Sequence, residues 1–132
     1  MDGSLIDLSK YRLERAREDL QTARDNFENG SYRASVNRAY YAIFHAPRAV
    51  TALDDFDSSK HSGIIGYINH NYVKAGIFDK SFSKYVDSAF RLREKADYDD
   101  FYVVAIEDAK RQIENAEAVI TAVETYASTR WH

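Results

Sequence analysis

The chain contains no cysteine and only one proline among its 132 residues. Without thiols it has no disulfide framework, no thiolate metal site and no cysteine nucleophile, and it fits a reducing compartment. No apolar run approaches the ~20 residues that a membrane-spanning helix needs. The N-terminal Met1-Asp2-Gly3-Ser4 lacks the basic region and apolar stretch of a secretory leader. A cytoplasmic protein with no membrane partner is expected. Basic excess is absent as well, because 18 Lys and Arg against 21 Asp and Glu leave a net charge of −3. Bulk electrostatic binding to nucleic acid is therefore excluded, and any contact with RNA must be local. The cations available for it are Arg38, Arg48 and Lys60, then Arg91, Arg93 and Lys95. Carboxylates are scattered, and His61, His70 and His132 show no His-x-x-x-His spacing, so neither a metal nor another cofactor is expected. No stretch alternates like a strand, and no internal repeat or linker is visible.

What the chain does have is helical periodicity. Leu13, Ala16, Leu20, Ala23 and Phe27 describe one apolar stripe, with Glu14, Arg15, Arg17, Glu18, Asp19 and Arg24 on the other faces. Gly30 suits a helix end and Ser31 a cap for the next helix, expected from about Tyr32 to Leu53. Its wide apolar face, including Val36, Ala39, Tyr40, Ile43, Phe44, Val50 and Leu53, marks a central helix. After a polar break at Asp54–Ser59, Ser58 or Ser59 can cap a third helix carrying Ile64, Ile65, Ile68 and Tyr72 and ending near Gly76. A fourth carries Phe82, Tyr85, Val86, Ala89 and Phe90 from about Lys80 to Ala96. A fifth carries Ile106, Ala109, Ile113, Ala116, Ile120 and Val123. The aspartates of Asp97-Tyr98-Asp99-Asp100-Phe101 are expected to face the last helix dipole, with Tyr98 and Phe101 pinning the turn to the core.

Short connections between amphipathic helices predict an all-α fold, an antiparallel up-and-down bundle of four to five helices. One domain is expected over residues 1–132, with 1–8 disordered or loosely attached. Ten tyrosines and seven phenylalanines exceed what one small bundle buries, which points to a homodimer.

Within the second helix, Arg38 and His45 stand seven positions apart. At about 100° per residue, His45 returns to within roughly 20° of Arg38, so both project from one face. Arginine matches phosphate geometry and histidine exchanges a proton near neutral pH, a pairing suited to a phosphodiester. Burial beside Ile43 and Phe44 favours the neutral imidazole that a general base requires. Tyr41, one turn from both, and Asn37 are the nearest polar helpers. Pro47 removes the hydrogen bond to the Ile43 carbonyl, which kinks the helix beside His45 or costs roughly 3 kcal/mol. Lys60 and His61, at the start of the third helix, and Arg48 are further candidates for phosphate or RNA contact.

Three blocks, Ser35-Val36-Asn37-Arg38-Ala39-Tyr40-Tyr41-Ala42-Ile43-Phe44-His45-Ala46, then Lys60-His61-Ser62-Gly63, then Leu92-Arg93-Glu94-Lys95-Ala96-Asp97-Tyr98-Asp99-Asp100-Phe101, resemble the HEPN family of small helical-bundle proteins over about Tyr11 to Tyr126. The resemblance implies a metal-independent endoribonuclease in which Arg38 and His45 take the places of the family's catalytic arginine and histidine. It also implies a dimer whose signature helices face a shared cleft. Many relatives of this kind are toxins or defence effectors, neutralised by a nucleotidyltransferase antitoxin. Where many members carry a polar residue after the arginine, this chain has Ala39. The alternative reading is a non-catalytic HEPN module that binds a nucleotide or a nucleotidyltransferase partner.

Overall fold

The computed structural model describes residues 3–132 and contains five α-helices: α1 (Gly3–Glu28), α2 (Tyr32–Leu53), α3 (His61–Ile68), α4 (Lys80–Tyr98) and α5 (Ile106–Ala127). Their directions follow from cross-helix contacts. Between α1 and α2, Arg12 donates to the Arg48 carbonyl (3.1 Å) while the Ser35 hydroxyl donates to the Ala23 carbonyl (2.8 Å), so rising numbers in one meet falling numbers in the other. Arg24 meets Glu117 at 2.8 Å and Arg17 pairs with Glu124, which sets α1 antiparallel to α5. Tyr40 meets Phe90 across the α2–α4 seam, whereas Val36, nearer the α2 start, shares a buried cluster with Ala96, nearer the α4 end. The four long helices therefore form the expected antiparallel all-α bundle, and α3 bridges one of its sides.

Helix α2 is the central element, with fourteen of its 22 residues buried. The α1–α2 turn closes as expected on Gly30, whose φ of +78° suits a residue without Cβ. Ser31, however, makes no side-chain capping bond. Pro47 does not interrupt α2, which continues to Leu53. The ring is fully buried beside Ala46, Ala49 and Val50, and this packing offsets the missing bond to Ile43.

Several expectations need correction. Helix α1 already starts at Gly3, so residues 3–8 are helical rather than loose, while residues 1 and 2 lie outside the described residues. Its first turns are held by the chain's end: Trp131 Nε1 donates to the buried Ser9 hydroxyl at 3.0 Å. The third helix stops at Ile68 and passes into a π-helical turn, Asn69–Val73. Ser58 does not cap α3 directly; its hydroxyl instead accepts the Lys60 amide at 3.2 Å. Tyr98 and Phe101 do not pin the acidic turn: they are 72% and 94% exposed. Asp97 pairs with Arg93 and Asp99 caps the Phe101 amide, so Glu107 and Asp108 are the acids in the first turn of α5. Ile106 is half exposed, and Phe90 is 43% exposed on α4.

One half-buried polar network was invisible in the sequence. Asp54, just beyond α2, accepts from Tyr67 (2.9 Å), from Tyr72 and from Arg130 (2.7 Å), while Arg130 also donates to the Leu53 carbonyl at 3.2 Å. This network ties the ends of α2 and α5 together. Burial and the bond to Asp54 push the Tyr67 phenol up to about 12. Burial opposes the Arg130 charge, but its bonds to Asp54 and Tyr126 outweigh that and raise its pKa.

Gly63 is needed for a different reason, since a Cβ there would stand 2.1 Å from the Ser58 Oγ and 2.7 Å from its Cβ. Gly63→Ala is expected to destabilise the fold by about 1–3 kcal/mol, read as a lowered midpoint in thermal unfolding. Adding Ser58→Gly should restore part of the loss. An unchanged midpoint in the single variant contradicts the close approach.

Candidate active site

The site forms where α1 and α2 cross. Arg38 and His45 do share one face of α2, and that face is turned toward Asp19 of α1. One carboxylate oxygen of Asp19 lies 3.4 Å from Arg38 Nη1, and the other lies 3.8 Å from His45 Nε2. The first is a hydrogen bond and ion pair. The second is an electrostatic contact only, which leaves Asp19 Oδ2 buried without a hydrogen-bond partner. Asp19 is 8% exposed, so it does not sit on the outer face assigned to it from the pattern of charges. A signal for its placement existed: it stands three residues after Ala16 and four before Ala23, which is the spacing of the buried stripe.

Exposure divides the roles. The Arg38 side chain is 48% exposed and can reach a ligand while touching Asp19, whereas the His45 side chain is 19% exposed. His45 is thus recessed but not sealed. Tyr41 stacks on its ring with centroids 6.1 Å apart. The buried Asn37 Oδ1 has no hydrogen-bond partner. Burial lowers the His45 pKa; Asp19 works against that, and Arg15, Arg48 and Arg12 add to the lowering. At neutral pH the imidazole is neutral and ringed by cations from two helices. Arg12 and Arg15 belong to this rim although only the α2 and later cations had been singled out.

A second row of groups continues around α2. The Arg93 guanidinium lies 4.9 Å from the Tyr40 ring and 5.7 Å from the Tyr41 ring, and it pairs with Asp97 at 3.0 Å in a geometry that is not a hydrogen bond. The Tyr40 hydroxyl hydrogen-bonds His61 Nδ1, and the His61 ring stacks on Phe44 at 3.9 Å. Burial, then Arg93 and Arg48, lower the His61 pKa. Arg48 pairs with Asp57 at 3.7 Å and lies 5.8 Å from the Phe44 ring. Arg38, His45, Tyr41, Arg48, Arg93 and His61 therefore line one band, which Lys60 extends toward α4. Arg91 and Lys95 are not part of it: they face α5 beside Asp108 and Tyr102.

The model of the HEPN domain matches residues 9–126. The chain belongs to the HEPN family. Among its relatives, a UPF0332 protein of Thermotoga maritima is 33% identical over 115 residues, covering 87% of each chain. A UPF0332 protein of Archaeoglobus fulgidus is also 33% identical over 115 residues, covering 87% of this chain and 91% of its own. A protein of Methanocaldococcus jannaschii named "Putative toxin MJ0605" is 37% identical over 86 residues, 65% of this chain and 64% of its own. The HEPN match takes in all three elements of the site, α1 with Asp19, α2 with Arg38 and His45, and α4 with Arg93. Among the described residues, no helix is long and apolar enough to cross a membrane.

Because Asp19 raises the His45 pKa and burial lowers it, Asp19→Asn is expected to move the imidazole titration to lower pH. Wild-type His45 should already titrate below the ordinary 6.5, and Arg15→Ala should move it back upward. Two-dimensional NMR of the ring protons across pH 4–8 reads all three. A titration in Asp19→Asn that stays put or rises removes Asp19 from the site's electrostatics.

Proposed function

We propose that this HEPN protein is a metal-independent endoribonuclease of the toxin type. The observation that carries the reading is the Asp19–Arg38–His45 cluster, a recessed neutral imidazole beside a half-exposed guanidinium on a shared carboxylate. With Nε2 turned toward Asp19, the His45 ring keeps its Nε2 proton and offers Nδ1 as the base. Nδ1 takes the proton of an RNA 2′-hydroxyl. The oxygen attacks the adjacent phosphorus, the bond to the 5′-oxygen breaks, and the imidazolium returns the proton to that leaving oxygen. The products are a 2′,3′-cyclic phosphate and a free 5′-hydroxyl. Arg38 holds the non-bridging oxygens as charge builds on them.

A homodimer suits the exposed Tyr98, Phe101 and Val103, which cover little in a single copy. Pairing two copies of the band across one cleft supplies the phosphate contacts that a chain of net charge −3 cannot supply in bulk. The toxin names of relatives support a cognate antitoxin of the nucleotidyltransferase type.

Purified protein should cleave single-stranded RNA in excess chelator and leave cyclic phosphate ends. His45→Ala should abolish cleavage, and Arg38→Ala should slow it by about 10²-fold or more. Since neutral His45 is the active form and its pKa is lowered, the rate should climb with pH and level off before 6.5. Cleavage that survives His45→Ala sinks the assignment.

A further inference from the structure

Beside the band lies an open groove of about 730 Å³ between α2, α3 and α4. Its volume falls within the roughly 300–1,000 Å³ of small-molecule sites. Tyr40, Phe44 and Phe90 line it, the Phe90 ring, 43% exposed, standing 6.4 Å from that of Tyr40. His61 and Lys60 stand at the rim, and the floor carries a polar pair, Asn69 Oδ1 accepting from the Ser83 hydroxyl at 2.5 Å. Nothing in the catalytic reading uses Phe90, Asn69 or Ser83.

We infer that this groove is a nucleobase subsite: it takes an unstacked base of single-stranded RNA against Phe90 and the His61–Phe44 stack, with the attached phosphate on Lys60. Three observations converge on that ligand. Aromatic and imidazole faces lining an apolar slot are the chemistry that holds a splayed-out base. A cation at the rim and a fixed carboxamide in the floor match a ligand that is flat, hydrogen-bonding and anionic at one end. A purely apolar peptide would leave Asn69, Ser83 and Lys60 without use. The groove is also continuous with the proposed site, since Phe44 links it to His45: the Phe44 ring is 5.9 Å from the His45 ring and 3.9 Å from that of His61. A strand whose phosphate rests on Arg38 and His45 thus passes a neighbouring base over Phe44 into the slot. The inference rests on the endoribonuclease reading for the identity of the strand, but not for the chemistry of the slot.

A fluorescent eight-nucleotide RNA, titrated by anisotropy into the His45→Ala protein, separates the two. Phe90→Ala and Lys60→Ala, both at exposed positions, should each weaken binding, Phe90→Ala by about tenfold, in line with the loss of one stacked base. Ile77→Ala, an exposed apolar side chain outside the groove, should leave it unchanged. Unlabelled adenosine monophosphate added as competitor distinguishes a base within a strand from a free nucleotide. Displacement of the RNA only at far higher concentration supports the strand, whereas preferential binding of the mononucleotide overturns it. Normal RNA affinity in both groove variants also overturns the inference, as does a Phe90→Ala effect that sedimentation traces to a changed oligomeric state. If His45→Ala protein binds RNA through the groove while the wild type cleaves none, the subsite stands and the nuclease reading falls.

Discussion

The burial of α2 is the constraint on which the rest of the molecule depends. Helices α1, α4 and α5 and the α3 bridge cover its circumference except for one strip, and fourteen buried residues hold it there. Side chains on that strip cannot choose their neighbours. Arg38 and His45 meet whatever α1 presents at that level, and the antiparallel register, pinned by the Arg12–Arg48 and Ser35–Ala23 hydrogen bonds, brings Asp19 there. A shift of one α1 position would rotate Asp19 by about 100° and carry its carboxylate off the seam. The chemistry of the site is thus set by packing that lies outside it.

Electrostatics sharpen the same point. A protein with three more acids than bases still places five of its 18 Lys and Arg, Arg12, Arg15, Arg38, Arg48 and Arg93, around His45 and its aromatic neighbours. Arg12, Arg15, Arg48 and Arg93 each work against protonation of a histidine, Arg38 pairs with Asp19, and Asp19 is the carboxylate that opposes the cations at His45. The consequence is a basic band with neutral imidazoles inside it. Such a band attracts phosphate locally without giving the chain a basic net charge.

How much of this was legible in the sequence depends on the range of the interaction. Local rules placed α2, its Arg38–His45 face and the Gly30 turn, because helical period and left-handed glycine are decided within a few residues. They failed where distant partners decide. Asp54 reads as one polar residue in a loop, and only the return of Arg130, 76 positions later, makes it the centre of a half-buried network. Residues 3–8 read as loose because nothing in them predicts Trp131 against Ser9. Tyr98 and Phe101 read as core because large aromatics usually are, yet the loop turns them outward. Gly63 belongs to the second block of the family resemblance, and what requires it, the Ser58 side chain, appears only when the chain folds back.

Asp19 also resolves the departure at Ala39. Many members of the family carry a polar side chain immediately after the arginine, where this chain has Ala39. In this fold position 39 is fully buried, about 100° around α2 from Arg38, so a polar group there would be buried in the bundle rather than open on the strip. The partner for the arginine and the histidine comes instead from the facing helix, through a carboxylate that has given up most of its water to reach them. Holding a carboxylate at 8% exposure with one oxygen unbonded is costly unless a cation compensates it. Arg38 compensates one oxygen directly. The other lies 3.8 Å from His45 Nε2 without a hydrogen bond, and its charge favours the protonated ring against the burial that opposes it, while Ala39 serves the core packing of α2.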